Sequence, residues 1–175
     1  LATEVVQEFI PRFDALFLQG LQRKIGLASS EEPGDAELIK RLFGTMQGSG
    51  ADFTLTFRRL ADAAEDTAND GVLRQLFTLP DELDKWLAAW RERLARDPQS
   101  ATQRASEMRR VNPAFIPRNH RVEAALNAAS AESDMEPFRR LLRVIQRPYE
   151  EQPEAAEYMQ PPEAAERVLR TFCGT

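Results

Sequence analysis

The sequence predicts an all-α fold: an irregular multi-helix domain followed by a proline-rich, extended C-terminal strap. Apolar residues recur at spacings of three and four along most of the chain, which is the pattern of amphipathic helices. No stretch alternates apolar and polar residues over the length of a strand. Hydrophobic residues make up 42% and charged residues 29% of the 175 positions, which is typical of a globular chain. We expect a helical domain over 1–148, and the strap, a short helix and a cysteine-bearing tail over 149–175.

The first helix is predicted from an apolar stripe near the N-terminus. The members of this stripe are Val5, Val6, Phe9, Phe13, Phe17, Leu21 and Ile25. Pro11 lies inside the stripe and should kink or split the helix, because proline lacks the N–H that a helix interior needs. After a loop over 29–34, Asp35 is placed to cap a second helix that ends near Met46.

Three glycines predict a connector between the second helix and a third helix that Asp52 opens. They are Gly44, Gly48 and Gly50. This G-x-x-x-G-x-G pattern has no Lys-Ser/Thr after it and no strand before it, so it does not predict a phosphate-binding loop. The third helix should bury three apolar side chains, Phe53, Phe57 and Leu60.

The clearest helical pattern begins at Pro80, which also ends a short helix containing Leu73 and Phe77. Its apolar stripe consists of Leu83, Trp86, Leu87, Trp90 and Leu94. Acidic residues in the first turn and arginines in the last turn match the helix dipole. The two tryptophans could stack on a ligand, but their i, i+4 spacing on a leucine stripe favours the core.

Prolines mark the later helices. One should begin at Pro98 and reach Arg110, a second should follow Pro117, and a third should run from about Glu136 to Pro148. The core residues expected in the last two are Val122, Ala125, Leu126, Phe138, Leu141, Leu142 and Ile145. The acidic, proline-rich segment over 149–162 should be extended, and 163–172 can form a last short helix.

Few side chains in this sequence could carry catalysis. His120 is the only histidine, and its neighbours Arg118 and Asn119 are not typical metal ligands, so a packed or hydrogen-bonding role is favoured. Adjacent carboxylates such as Asp81 and Glu82 point about 100° apart on a helix and do not converge on one atom. We predict no catalytic, cofactor-binding or metal-binding residue in the chain.

Two features leave functional alternatives open. A cluster of arginines comprises Arg104, Arg109, Arg110, Arg118 and Arg121. Its members either pair with acidic groups of the same chain or form a surface that faces a phosphate or a domain seam. Cys173, the only cysteine and the third residue from the end, is either an inert tail residue or a solvent-reachable redox thiol.

Charge and hydropathy exclude other partners. The net charge of −5 argues against nucleic acid, because a binding face would have to be a local patch working against the overall field. No apolar run approaches the ~18 residues that span a bilayer, so no membrane partner is expected. The chain begins with Leu1 and shows no signal-peptide pattern, so we expect that it was cut from something longer.

One continuous stretch carries a family resemblance. Residues 108–120 (MRRVNPAFIPRNH), followed by Val122, Glu123, Ala125 and Leu126, resemble the C-terminal portion of the selenoprotein O family. Supporting pieces appear in the same order: Phe53-Thr54, Phe57-Arg58-Arg59-Leu60, Trp86 to Arg93, Pro148-Tyr149, Pro161-Pro162 and Phe172-Cys173-Gly174-Thr175. The resemblance covers nearly the whole chain, and Cys173 stands where some members of the family carry selenocysteine.

The scarcity of lysine among the 23 basic residues, together with abundant alanine, suggests a bacterial source. The resemblance implies a cytoplasmic parent protein with a kinase-like (pseudokinase) core that transfers AMP from ATP to protein hydroxyls. The residues that would hold ATP and magnesium belong to the part of the family protein before this chain, so no cofactor is expected here. The partners would be the kinase-like core of the same protein and its protein substrates. The chain has two alternative functions: it could be a free-standing helical interaction module or a redox regulator that acts through Cys173.

Overall fold

The computed structural model describes the backbone of residues 2–28 and 32–168 and the side chains from residue 8 onward. This part of the chain contains no strand, and the all-α prediction is confirmed. Its α-helices are α1 (Ala2–Lys24), α2 (Asp35–Ser49), α3 (Phe53–Glu65), α4 (Asp70–Arg74), α5 (Pro80–Leu94), α6 (Ala101–Val111), α7 (Asn119–Ala131) and α8 (Glu136–Ile145). Short 3₁₀ segments lie at Thr67–Asn69, Pro153–Met159 and Ala164–Glu166.

The chain divides into two compact units, Leu1–Asn112 and Pro113–Thr175. The first unit contains α1 to α6 and the second contains α7 and α8. The separate boundary expected between residues 148 and 149 stays a prediction.

Helix α5 lies at the centre of the first unit. All five residues of its leucine and tryptophan stripe are buried, as predicted. The indole Nε1 of Trp86 donates a hydrogen bond to the Leu38 carbonyl, and that of Trp90 donates to the Ile25 carbonyl, each at 2.8 Å. The two rings stack with centroids 5.4 Å apart. Trp86 and Trp90 are therefore core residues that tie α5 to α2 and to the end of α1.

Helix α2 differs from the prediction at both ends. It begins after Gly34, with Asp35 as its first residue, and it continues through Gly44 and Gly48 to Ser49. Only Gly50 ends the helix, in the left-handed conformation with φ 62°. Four apolar residues of α2 are buried in the core: Leu38, Ile39, Leu42 and Met46. Their packing outweighs the roughly 1 kcal/mol cost of each interior glycine, so the predicted connector over these glycines is wrong.

Helix α3 begins as predicted, because the Asp52 carboxylate accepts a hydrogen bond from the Leu55 N–H at 2.8 Å. Phe57 and Leu60 are buried, but Phe53 is half exposed. As the first residue of the helix, Phe53 reaches only the rim of the core, where its ring lies 4.8 Å from that of Phe57.

Helix α6 begins three residues later than the sequence predicts. The Ser100 hydroxyl accepts a hydrogen bond from the Gln103 N–H at 3.3 Å and caps the helix at Ala101. Pro98 lies before this cap, outside the helix, so the predicted start at Pro98 is wrong. A serine with a free hydroxyl satisfies an orphan N–H of the first turn, which proline cannot do.

The second unit buries fewer apolar residues than predicted. Ala125, Leu141 and Val144 are buried. The predicted core residues Leu126, Phe138 and Leu142 are exposed. The apolar stripes of α7 and α8 are wider than the contact between the two helices, so part of each stripe faces solvent within this unit.

The acidic segment after α8 is more helical than the extended strap predicted for it. It forms 3₁₀ turns over Pro153–Met159, and Ala155 and Met159 are buried. The side-chain amide of Gln152 donates hydrogen bonds to the carbonyls of Val144 and Arg147 and so fastens the segment to the end of α8. The predicted last helix over 163–172 is described only to residue 168 and contains a 3₁₀ turn there.

Candidate functional site

The exposed face of α1 is the first candidate functional surface. The helix continues through Pro11, so the predicted split does not occur. The stripe expected to be buried divides instead: Leu21 and Ile25 are in the core, whereas the N-terminal members that the structure describes are exposed. The exposed apolar residues of α1 are Phe9 (65%), Ile10 (62%), Phe13 (53%), Leu16 (58%) and Phe17 (56%).

The three phenylalanines of this face form a ladder along the helix. The ring centroids of Phe9 and Phe13 are 6.1 Å apart, and those of Phe13 and Phe17 are 5.8 Å apart. Both pairs are stacked, a favourable geometry for aromatic rings. The ladder is therefore an ordered apolar surface that nothing described in the first unit covers.

A cavity of about 630 Å³ lies beside the ladder, between α1 and α6. Leu16 belongs to both the exposed face and the cavity wall. Arg23 and Arg110 also line the cavity, and among the described residues neither forms an ion pair. The carboxylate of Glu107 lines the same cavity, so the opening combines an apolar side with charges of both signs and a net excess of positive charge.

The predicted arginine cluster is divided between the two units. In the first unit, Arg109 pairs with Asp62 at 2.7 Å and with Glu65 at 2.6 Å. Burial lowers the pKa of Arg109, but the hydrogen bonds to these two carboxylates outweigh burial and raise it. Arg109 therefore joins α6 to α3, and its charge is satisfied within the unit, whereas Arg110 is exposed.

Arg118 and Arg121 lie at the start of α7 in the second unit. Arg118 is buried. Arg121 is half buried, donates a hydrogen bond to the Glu157 carbonyl at 3.1 Å, and lies 6.0 Å from the centre of the Tyr158 ring. These contacts hold the acidic segment against α7. Whether Arg110, Arg118 and Arg121 face a phosphate or a domain seam stays a proposal.

His120 is packed, as the sequence predicts. It is 7% exposed, and its Nε2 has no hydrogen-bond partner among the described residues. Burial lowers the pKa of His120, and the positive charges of Arg121 and Arg118 lower it further, although Glu166 opposes them. The imidazole is therefore neutral near pH 7. It lines a surface cavity of about 410 Å³ together with Arg118 and Arg167.

The arginines that hold the first unit together were not identified from the sequence. Arg93 and Asp35 form a buried bidentate ion pair, with Nε 2.7 Å from Oδ1. Arg58 donates to the carbonyls of Arg109 and Asn112 at 3.1 Å. A signal for Arg93 exists in the sequence: it stands at i+3 from Trp90 and i+7 from Trp86, on the buried side of α5.

The remaining predictions concern Cys173, metal binding and membrane spans. Cys173 lies outside the described residues, so its redox role stays a hypothesis. Among the residues described, no group of three His, Cys, Asp or Glu side chains is placed to hold a metal ion. Over the same residues, no helix has the length and apolar character that crossing a membrane requires.

Comparison with known proteins places the chain in a family. The family model described as "Protein adenylyltransferase SelO" matches residues 2–146. A protein nucleotidyltransferase YdiU from Rhizobium leguminosarum bv. trifolii is 55% identical over 174 residues, which are 99% of this chain and 35% of the relative. The YdiU proteins of Rhizobium meliloti and Rhodopseudomonas palustris are 52% and 48% identical over the whole chain.

The chain thus spans about a third of the length of the curated relatives that it matches. The match includes α1 and its exposed face, since the family model begins at residue 2. With the family model covering most of the chain and the relatives about half identical to it, the chain belongs to the SelO family of protein adenylyltransferases.

Proposed function

We propose that this chain is the C-terminal helical region of a SelO-type protein adenylyltransferase, an enzyme that transfers AMP from ATP to protein hydroxyls. The region supports the nucleotide-binding part of the enzyme and does not form a complete active site. One observation carries this proposal: the chain matches its nucleotidyltransferase relatives over 99% of its own length but only 35% of theirs.

The contacts of the positively charged side chains support a structural role for this region, with the nucleotide bound by another part of the enzyme. Transfer from a nucleoside triphosphate needs magnesium and a cradle of cationic groups around the phosphates. In the first unit, Arg58, Arg93 and Arg109 point their guanidinium groups at carbonyls or carboxylates of the same unit. Groups engaged in this way hold helices together. On this proposal ATP, magnesium and the kinase-like core belong to the remaining part of the enzyme, which would act in the bacterial cytoplasm on protein substrates.

The alternative is a free-standing helical interaction module. The exposed phenylalanine ladder of α1 favours this alternative, since a large apolar patch on a folded surface marks a site of association. The two functions differ in their genes: a gene that encodes only these residues supports the module, and a gene that also encodes a kinase-like core supports the enzyme.

AMP transfer tests the proposal. A longer polypeptide is made in which this chain replaces the matching 174 residues of the Rhizobium leguminosarum relative. With ATP, magnesium and a mixture of proteins, it should attach AMP to hydroxyl groups, as detected by mass spectrometry. This chain alone serves as the control and should give none. Transfer by the isolated chain, or none by the longer polypeptide, would contradict the proposal.

A further inference from the structure

Residues 8–20 of α1 make few of the tertiary contacts that normally stabilise a helix. From residue 8 to residue 20, every residue except Leu18 is exposed. A helical segment of this length is marginal in water without packing, and Pro11 in its interior costs about 3 kcal/mol more. The segment therefore needs a partner surface to stay helical.

The exposed face has the composition of an interface core. Its five exposed apolar residues include three phenylalanines, and each phenylalanine offers roughly 150–250 Å² of burial. Apolar patches beyond a few hundred Å² are rare on monomeric proteins and mark association sites. The face thus belongs to a contact that the first unit, taken by itself, does not contain.

The length of the relatives identifies the occupant. This chain spans 35% of the length of the Rhizobium leguminosarum relative, so most of the relative lies outside the match. Within one polypeptide the other region is always present at high effective concentration. A second copy of this chain would have to find the ladder in solution. The observations therefore favour an intramolecular partner.

The cavity beside the ladder specifies the chemistry of this partner. Leu16 connects the apolar face to the cavity, and Arg23 and Arg110 line it without an ion pair among the described residues. Glu107 also lines the cavity, but the positive charges of its lining remain in excess. A complementary surface therefore carries apolar side chains opposite the phenylalanines and at least one carboxylate near the two arginines.

We propose that the face of α1 formed by Phe9, Phe13 and Phe17, with the adjoining cavity, is the docking surface for the enzyme region that lies outside this chain. This inference rests on the proposed function. Arg110 is then a residue of the seam between the two regions, and α1 is the element through which the helical region holds that region in place.

Hydrogen exchange tests the docking. Amide exchange of peptides covering residues 8–20 is measured in this chain alone and in the longer polypeptide described above. Docking should slow exchange in the longer polypeptide at least about tenfold, because a packed helix opens less often. Phe13→Asp in the longer polypeptide should restore fast exchange. Val72→Asp, at an exposed apolar residue on α4, is the matched control and should leave α1 protected.

Three results would overturn the inference. One is equal exchange of residues 8–20 in the isolated chain and in a longer polypeptide that transfers AMP. Another is protection that survives Phe13→Asp. The third is a dimer of the isolated chain, seen by sedimentation, that already protects α1 and dissociates with Phe13→Asp, since the occupant would then be a second copy. AMP transfer by the unmodified longer polypeptide is measured separately. Failure of the proposed enzyme function can therefore be distinguished from failure of the docking inference.

Discussion

At the scale of single residues, the buried pair of Asp35 and Arg93 has the largest consequence for the first unit. Both side chains are shielded from water, with exposures of 1% and 4%. Burial raises the pKa of Asp35, but the hydrogen bonds from Arg93, the Glu32 N–H and Gln22 outweigh burial and lower it. The carboxylate therefore stays charged at neutral pH and fixes the first turn of α2 against α5.

Removing this carboxylate should be costly because it leaves Arg93 buried without its principal partner. Asp35→Asn should lower the free energy of unfolding by about 3 kcal/mol at pH 7. The matched control is Asp84→Asn, which breaks an ion pair of the same 2.7 Å length between side chains that are 42% and 44% exposed. That control should cost less than about 1 kcal/mol. Urea denaturation followed by tryptophan fluorescence reports on this unit, since both tryptophans lie in it; equal effects of the two variants would contradict the assignment.

The same pair should make stability depend on pH. Because the pKa of Asp35 is lower in the folded state than its ordinary value of 3.8, its contribution is present above that value. The contribution is lost as the pH falls from there through the folded pKa. The difference between the original chain and Asp35→Asn should therefore shrink as the pH falls below about 3.8.

The sequence identifies some of these residues and misses others for a definite reason. The burial of Trp86 and Trp90 is predicted from their helical spacing on a leucine-rich stripe, and the structure confirms it. The partner of Arg93 does not follow from spacing, since Asp35 lies on another helix and reads locally as a cap. Pairing across elements depends on their packing, which periodicity does not encode.

At the scale of helices, the turn that ends α1 depends both on its own backbone conformation and on its packing against α6. Gly26 has φ 79°, its N–H bonds to the Arg23 carbonyl, and the Leu27 N–H bonds to the Gln22 carbonyl. This is the Schellman arrangement, which favours glycine. A Cβ atom at Gly26 would also lie 2.7 Å from the Met108 sulfur, so α6 packs directly against the turn.

Gly26→Ala should destabilise the first unit by about 2 kcal/mol or more, from backbone strain and from the clash with α6. Gly20→Ala is the matched control, because a Cβ atom there meets nothing within 4 Å. That control should be neutral or stabilising by up to about 1 kcal/mol, since alanine favours a helix interior. The two unfolding midpoints in urea provide the comparison, and a Gly26→Ala chain as stable as the Gly20→Ala chain would refute this reading of the turn.

Helix positions are more predictable here than helix ends or burial. Period and capping residues correctly predict α3 and α5, where Asp52 and Pro80 mark the starts. They fail at α2, where packing carries the helix through two glycines. They fail also for the face of α1, because an apolar stripe predicts burial but does not state in which molecule or region the covering surface lies.

At the scale of the whole molecule, each unit leaves apolar surface exposed, and the chain spans about a third of the length of its relatives. Apolar side chains remain exposed on α1 in the first unit and on α7 and α8 in the second, including Leu126, Phe138 and Leu142. The family could be predicted from the motif over 108–120 and its supporting pieces, and the fold class from the helical spacing of apolar residues. The docking surface could not, since exposure is a property of the folded units.

Nucleotide binding by the isolated chain shows whether the ATP site of the enzyme lies outside this helical region. The chain is titrated with ATP and magnesium in a calorimeter, and the longer polypeptide serves as the positive control. We expect no magnesium-dependent binding tighter than about 1 mM for the isolated chain, equivalent to about −4 kcal/mol, alongside clear binding by the longer polypeptide. Magnesium-dependent binding of ATP to the isolated chain in the micromolar range would contradict this expectation.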